Sequence, residues 1–116
     1  MLDLRFFRGK KIFITGHTGF KGSWLTYILY LSGAKIAGYS LKPKNKYDNF
    51  WLLNLENKIE NSFGDVRDEK NLSKKINKFK PQIIFHLAAQ PLVKESYSSP
   101  KFTFTTNLIG TLNVLE

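Results

Sequence analysis

Cysteine is absent from this 116-residue sequence, and acidic residues and long apolar runs are scarce in it. Without a thiol, the chain has no disulfide bond, no cysteine nucleophile and no thiolate metal ligand. We predict no metal site of any other kind. The best apolar run, residues 24–31, is interrupted by Thr26 and falls short of the ~18 residues that a membrane span requires. The first eight residues give no secretory signal, so we expect a soluble, cytoplasmic protein.

The shortage of acidic residues leaves a positive balance. Nine Asp and Glu stand against eighteen Lys and Arg, so the formal net charge is +9. The lysines are spread along the chain, and the densest group, at positions 70, 74, 75, 78 and 80, has spacings that suit a solvated helix face. No nucleic-acid-reading motif accompanies them, so we expect no nucleic-acid partner.

The length favours one domain, because a chain of this size buries roughly two-thirds of its unfolded surface, enough for one core. Apolar runs alternate with helical patterns in the order β-α-β-β-α-β-α, which is typical of an α/β fold with a parallel sheet. The predicted strands cover residues 11–15, 35–40, 59–63 and 82–88. A buried amphipathic helix is predicted over 22–32, a second helix is capped by Asp68 and ended by Pro81, and a last one opens at Ser99. Residues 42–58 read as a loop with a short helix at Phe50.

Three glycines punctuate the turn between the first strand and the first helix, in the sequence TGHTGFKGS. Gly16 permits the tight turn, Gly19 lets the main chain approach a pyrophosphate, and Gly22 allows the helix to pack closely on the strand. The amides at the start of the helix add hydrogen-bond donors and about half a positive charge. After a buried strand and before a helix, this spacing predicts a doubly wound, Rossmann-like dinucleotide-binding fold with strand order 3-2-1-4.

The second predicted strand lacks the acidic residue that ordinarily accepts the ribose hydroxyls of NAD and disfavours the 2′-phosphate of NADP. The chain has Tyr-Ser-Leu-Lys at 39–42 instead. Ser40 can bond a hydroxyl, whereas Lys42 either meets a phosphate or is an ordinary loop lysine. From these residues alone, the choice between NAD and NADP stays open.

The two histidines allow different interpretations. His17 lies in the glycine turn, where it either touches substrate or cofactor or is a solvent-exposed loop histidine. His86 lies in an apolar strand and is predicted to be a hydrogen-bonded core histidine. Lys94 and Tyr97 stand in the wrong order for a Tyr-x-x-x-Lys pair.

Five segments carry a family resemblance: TGHTGFKGSW at 15–24, GYSLKP at 38–43, GDVRD at 64–68, HLAAQPLV at 86–93 and TNLIGTLNVLE at 106–116. Together they resemble the N-terminal part of the extended short-chain dehydrogenase/reductases and, more narrowly, the CDP-glucose 4,6-dehydratase family. The glycine spacing and GDVRD are shared widely among sugar-nucleotide epimerases and dehydratases. His17-Thr18 and KGSW at 21–24 are the more specific part.

The resemblance implies NAD bound across the carboxyl ends of the strands, with CDP-glucose as the substrate. Asp65 and Val66 would then hold the adenine edge, although Asp65 has an alternative reading as a turn carboxylate. Together with the residues already discussed, the predicted cofactor-binding set is Gly16, Gly19, Phe20, Lys21, Gly22, Ser40, Asp65, Val66, Leu87, Ala88 and Ala89. His17 and Gln90 are predicted to lie near the substrate.

In that family, NAD oxidises the C4 hydroxyl, water leaves from C5 and C6, and the same hydride returns to C6. This chemistry needs a Tyr-Lys pair and an acidic pair, which the resemblance places after Glu116. We therefore predict that residues 1–116 are a truncated NAD-binding domain without catalytic residues or substrate domain, homo-oligomeric when full length. The alternatives are another epimerase or reductase of the same fold, using NADP, and a non-catalytic dinucleotide-binding module.

Overall fold

The computed structural model describes residues 4–46 and 48–88. Its strands are β1 Lys11–Thr15, β2 Lys35–Ser40, β3 Glu60–Phe63 and β4 Ile83–His86. Its α-helices are α1 Phe20–Leu31, α2 Asn49–Leu52 and α3 Glu69–Phe79, and single 3-10 turns cover Leu4–Phe7 and Leu55–Asn57. Within the described residues every predicted strand and helix is present, with ends shifted by up to two residues. The predicted helix from Ser99 lies outside them.

The four strands form one parallel sheet in the order β3-β2-β1-β4, which confirms the predicted fold class and strand order. Ile12 of β1 is paired with Ile36 of β2 on one side and with Ile83 of β4 on the other. The chain therefore leaves β1 in one direction and later returns to its opposite side. In a doubly wound sheet, such a reversal opens a crevice at the carboxyl ends of the strands.

Helices cover the sheet on both faces, so β1 is buried on both sides as its continuous apolar sequence predicts. Phe13 points to one face, where it packs with Tyr39, Val66 and Leu72 of α3. Ile12 and Ile14 point to the other face, where they pack with Leu29 of α1. These two apolar layers hold the sheet between the helices. They thereby position the loops at the carboxyl edge of the sheet.

The ends of α3 follow the sequence signals. Asp68 caps the helix, its Oδ1 accepting a hydrogen bond from the amide of Asn71 at 3.2 Å. The helix stops at Lys80, which takes a left-handed conformation with φ 55° just before Pro81. Four of the five predicted solvated lysines are exposed, and Lys75 is half-buried.

Helix α1 is buried on one side, as the prediction of a buried amphipathic helix requires, but its outer side is apolar where that prediction implies a polar one. Gly22, Ser23, Thr26 and Leu29 face the interior. The large apolar side chains of Phe20, Trp24, Ile28 and Leu31 are exposed among the described residues. At the sheet edge, β4 has β1 as its only described neighbour, as expected for the fourth strand. None of the helices in the described part of the chain is long and apolar enough to cross a bilayer.

Candidate cofactor site

The loops that follow the four strands meet at the carboxyl edge of the sheet. Main-chain hydrogen bonds tie them together: Gly16 donates to the Tyr39 carbonyl at 3.0 Å, Gly64 to the Ser40 carbonyl at 2.8 Å, and Leu87 to the Thr15 carbonyl at 2.9 Å. The predicted cofactor residues that the structure describes belong to these loops or to the first turn of α1, except Ser40, which is the last residue of β2. Ala89 and Gln90 lie outside the described residues.

The three glycines of the first turn have different surroundings. Gly16 has φ +80°, and a Cβ on it would lie 2.6 Å from the main-chain carbon of Leu87. A Cβ on Gly22 would lie 2.0 Å from the carbonyl oxygen of Gly16. A Cβ on Gly19 would touch only that same oxygen, at 3.5 Å, and would otherwise point into open space. Two glycines therefore allow the backbone to pack, and the third keeps the space outside the turn open.

The first turn of α1 presents amides to this space. Gly19 precedes the helix and has no side chain to cap its first amides, and the first turn itself contains no acidic residue. The opening amides of any α-helix lack partners within the helix. An open hollow of about 280 Å³ lies beside them, lined by Thr18, Gly19, Phe20, Asp48 and Asn49. Phe20, which lines the hollow, and the following Lys21 are both exposed. This donor set and the room left by Gly19 fit a diphosphate, whereas Asp48, which also lines the hollow, adds an acidic group.

At the end of β2, Ser40 is held in a directed chain of hydrogen bonds. Thr18 Oγ1 donates to the Leu41 carbonyl at 2.9 Å and contacts Ser40 Oγ at 2.8 Å. Because a hydroxyl has one hydrogen, Thr18 must accept from Ser40 in this arrangement. Ser40 therefore offers lone pairs, and no hydrogen, to a further partner. Lys42 is exposed beside it.

Asp65 binds its neighbour Arg67. Arg67 Nη2 approaches Asp65 Oδ2 at 2.5 Å, and Arg67 Nε lies 3.0 Å from both carboxylate oxygens. The Arg67 amide also donates to Asp65 Oδ1 at 2.9 Å. These bonds from Arg67 lower the pKa of Asp65 against the opposing effect of burial, so the carboxylate is ionised near neutral pH. This is the geometry of the alternative reading, a turn carboxylate, and the adenine contact stays a prediction.

Tyr39, which lies in the core, holds the loop after β3 in place. Its hydroxyl donates to the Asp65 carbonyl at 3.0 Å and accepts from Asn71 Nδ2 of α3 at 3.0 Å. The side chain of Val66 lies in the core beneath the loop and is 3% exposed. The Val66 side chain is therefore part of the core, and the predicted contact with adenine would be made by the main chain of the loop. Leu87 is exposed after β4, and Ala88 packs partly against the core.

His17 has a position that neither sequence interpretation described. Its side chain is 0% exposed, so the alternative of a solvent-exposed loop histidine is wrong. The ring turns inward, and its Nε2 lies 2.6 Å from Oδ1 of Asn61 on β3. Burial lowers the pKa of His17 to about 4, against smaller raising effects of Asn61 and of the Tyr39 backbone. The ring is therefore neutral at pH 7. Proximity of His17 to a substrate stays a prediction.

Two residues that the sequence did not single out hold this ring. A Cβ on Gly38 would lie 2.5 Å from the His17 ring, so β2 needs glycine there to admit the imidazole. Asn61 supplies the hydrogen-bond partner from β3. An isolated glycine inside a predicted strand indicates close approach of another group. That signal was present at Gly38, although it did not name His17.

His86 is hydrogen-bonded as predicted, but it is half-buried at the sheet edge and does not lie in the core. Its Nδ1 lies 2.6 Å from Oγ1 of Thr15 on the neighbouring β1. Thr15 Oγ1 also accepts, at 3.4 Å, from the amide of Ala88. Burial lowers the pKa of His86. The pair thus holds the end of β4 against the end of β1, next to the glycine turn.

The strand order, the reversal at β1 and the glycine turn at the carboxyl edge define the chain as a Rossmann-like α/β domain. A family model described as GDP-mannose 4,6 dehydratase matches residues 13–116. The chain belongs to this family, and thus to the sugar-nucleotide dehydratases and epimerases.

Comparison with known proteins gives relatives of the same kind. The chain is 47% identical over 116 residues to a CDP-glucose 4,6-dehydratase of Salmonella typhimurium, covering 100% of this chain and 32% of the relative. It is 37% identical to a CDP-paratose 2-epimerase of Salmonella typhi, over 91% of this chain and 32% of that protein. The chain thus spans about a third of the length of these curated relatives.

A solved structure shares the fold. A UDP-glucose 4-epimerase of Thermus thermophilus, in complex with NAD, superposes with a TM-score of 0.78 and 30% identity. The match covers 90% of this chain and 32% of the epimerase chain. The likeness therefore extends over most of this chain.

Proposed function

We propose that this chain is the NAD-binding part of a nucleotide-sugar 4,6-dehydratase whose substrate is CDP-glucose. The observation that carries the cofactor part is the uncapped first turn of α1 facing an open hollow, with Gly19 placing no side chain in it. The identity of 47% to a CDP-glucose 4,6-dehydratase supports the substrate. The NAD complex of the 30% identical epimerase supports the choice of dinucleotide.

NAD would supply a group that takes a hydride from the sugar and gives it back. The residues of this chain would bind and orient it. The first amides of α1, from Phe20 and Lys21, would donate to the diphosphate, and Ser40 would accept a hydrogen bond from a ribose hydroxyl. The loop after β3 would lie beside the adenosine, and the loop after β4 would lie on the nicotinamide side of the dinucleotide. The Tyr-Lys pair and the acidic pair that this chemistry needs would come from a part of the protein outside residues 1–116.

The substrate proposal is tested with the full-length gene product, incubated with NAD and CDP-glucose, GDP-mannose or UDP-glucose in turn. We expect only CDP-glucose to lose one water, seen by mass spectrometry, without accumulation of NADH. Water loss from GDP-mannose alone would overturn the CDP-glucose assignment. An isomer formed without water loss would identify an epimerase, and NAD binding without turnover of any sugar would favour the non-catalytic module.

The cofactor is expected to be NAD and not NADP, with a difference in affinity of about tenfold or more. Ser40 offers lone pairs at the end of β2, and lone pairs accept from a ribose hydroxyl but repel a 2′-phosphate. Calorimetric titration of both dinucleotides measures the difference. Lys42→Ala is the control: if Lys42 is an ordinary loop lysine, both affinities stay unchanged. Tighter binding of NADP, lost in Lys42→Ala, would reverse the assignment.

A further inference from the structure

The glycine turn is attached to the sheet through the side chain of His17. The turn lies between β1 and α1, and the His17 carbonyl oxygen accepts a hydrogen bond from Ser23 Oγ of α1 at 3.0 Å. The imidazole points the other way, across β2, and reaches Asn61 on β3 at 2.6 Å. One residue thus connects the start of α1 with a strand two positions away in the sheet.

The surroundings leave the imidazole one place to lie. It rests on the main chain of β2 at Gly38, which has no Cβ to obstruct it. On another side it meets the ring of Phe50 of α2 edge to face, with 5.4 Å between the ring centroids. Asn61 is the one side-chain hydrogen-bond partner of the ring within the described residues. An amide oxygen only accepts, so Nε2 carries the hydrogen.

Such a polar pair is a costly way to fill a core. A buried polar atom without a partner is unfavourable, and an apolar side chain would fill the same space without that cost. Unlike an apolar contact, the 2.6 Å hydrogen bond between His17 and Asn61 fixes the ring in one orientation. The ring in turn fixes the backbone of the turn. Because α1 has no side-chain cap at its start, the turn depends on such attachments for its position.

We propose that His17 and Asn61 are positioning residues for the dinucleotide: their hydrogen bond holds the glycine turn in the conformation in which the first amides of α1 meet the diphosphate. Neither side chain touches the ligand. This inference rests on the proposed cofactor site. It places a determinant of dinucleotide affinity on β3, at Asn61, on the far side of β2 from the glycine turn.

The test compares two substitutions of Asn61 in the full-length protein. Asn61→Asp keeps an acceptor oxygen at this position, and Asn61→Leu keeps the volume but removes the acceptor. We expect Asn61→Asp to bind NAD within about threefold of the wild type and Asn61→Leu to bind about tenfold or more weakly, measured by calorimetry well below the melting temperature. Ser62→Ala is the matched control, because Ser62 is the next residue of β3 and pairs with Tyr39 on the opposite face.

Substitutions of His17 test the same hydrogen bond from its other end. They remain informative if Asn61→Leu does not fold. Glutamine places an amide nitrogen near the position of Nε2, whereas asparagine is too short to reach Asn61. His17→Gln should therefore retain NAD affinity better than His17→Asn, by about tenfold. Equal affinity in the two members of either pair would overturn the positioning role. If the wild type itself does not bind NAD, the proposed function fails, which is a separate result.

Discussion

Gly22→Ala is expected to lower the free energy of unfolding by about 3 kcal/mol and to abolish NAD binding. The new Cβ would lie 2.0 Å from the carbonyl oxygen of Gly16 and 2.8 Å from its carbonyl carbon, so the main chain must move. That carbonyl accepts the amide hydrogen of Gly19 at 3.2 Å, and a shift would therefore deform the whole turn. Urea unfolding measures the loss of stability, which corresponds to about 10 °C in melting temperature.

Gly19→Ala is the matched control, because it adds the same methyl group three residues earlier in the same turn. Gly19 has φ −75° and ψ 173°, which alanine adopts freely, and its Cβ would touch only the Gly16 oxygen at 3.5 Å. We expect a loss of stability of about 1 kcal/mol, smaller than that of Gly22→Ala, since a helix N-cap prefers glycine to alanine. NAD affinity should nevertheless fall, because the methyl group enters the space assigned to the diphosphate. Unchanged affinity in Gly19→Ala would show that the diphosphate lies elsewhere.

The strands and their order could be predicted because each strand and each turn has a signal in its own short stretch of sequence. KIFIT at 11–15 is apolar throughout, as a strand buried on two faces must be, and Gly16 marks its end. Asp68 caps the start of α3, and Pro81 prevents the helix from continuing beyond Lys80. Both effects act between residues that are close in sequence. Once four such strands alternate with helices, the rules of parallel connections leave few strand orders.

The outer side of α1 could not be predicted in the same way. Trp24 and Ile28 are apolar, and an apolar pattern says that a helix can be buried without saying what buries it. The prediction of an amphipathic helix implied a polar outer side, whereas among the described residues the outer side is apolar and the buried side carries Thr26 and Leu29.

The polar contacts of the site depend on how distant their partners are in sequence. Asp65 and Arg67 are two residues apart, and a turn carboxylate was foreseeable. Thr18 meets Ser40 over 22 residues, and His17 meets Asn61 over 44. No periodicity links such pairs, because they come together only when β2 and β3 are laid beside β1. The residues that position the candidate site are therefore the ones that a linear reading does not find.

Acidification is expected to remove about 3 kcal/mol of stability through His17 alone. Its pKa is about 4 in the folded protein against 6.5 for an unburied histidine. Between these values the unfolded chain binds a proton that the folded chain rejects, so falling pH favours unfolding. The contribution of His17 is fully present above about pH 6.5 and is lost progressively as the pH falls to about 4. Urea unfolding of the full-length protein at a series of pH values measures it.

Other groups titrate in the same window, among them His86, whose pKa burial also lowers, so the slope of the wild type is not specific. His17→Gln isolates the effect, because glutamine retains the hydrogen-bonding direction toward Asn61 and does not titrate. The difference in unfolding free energy between the two proteins should be constant above pH 6.5 and should shift against the wild type below it. A difference that stays constant down to pH 4 would mean that protonated His17 finds an acceptor for its Nδ1 hydrogen, and the turn would then not depend on a neutral ring.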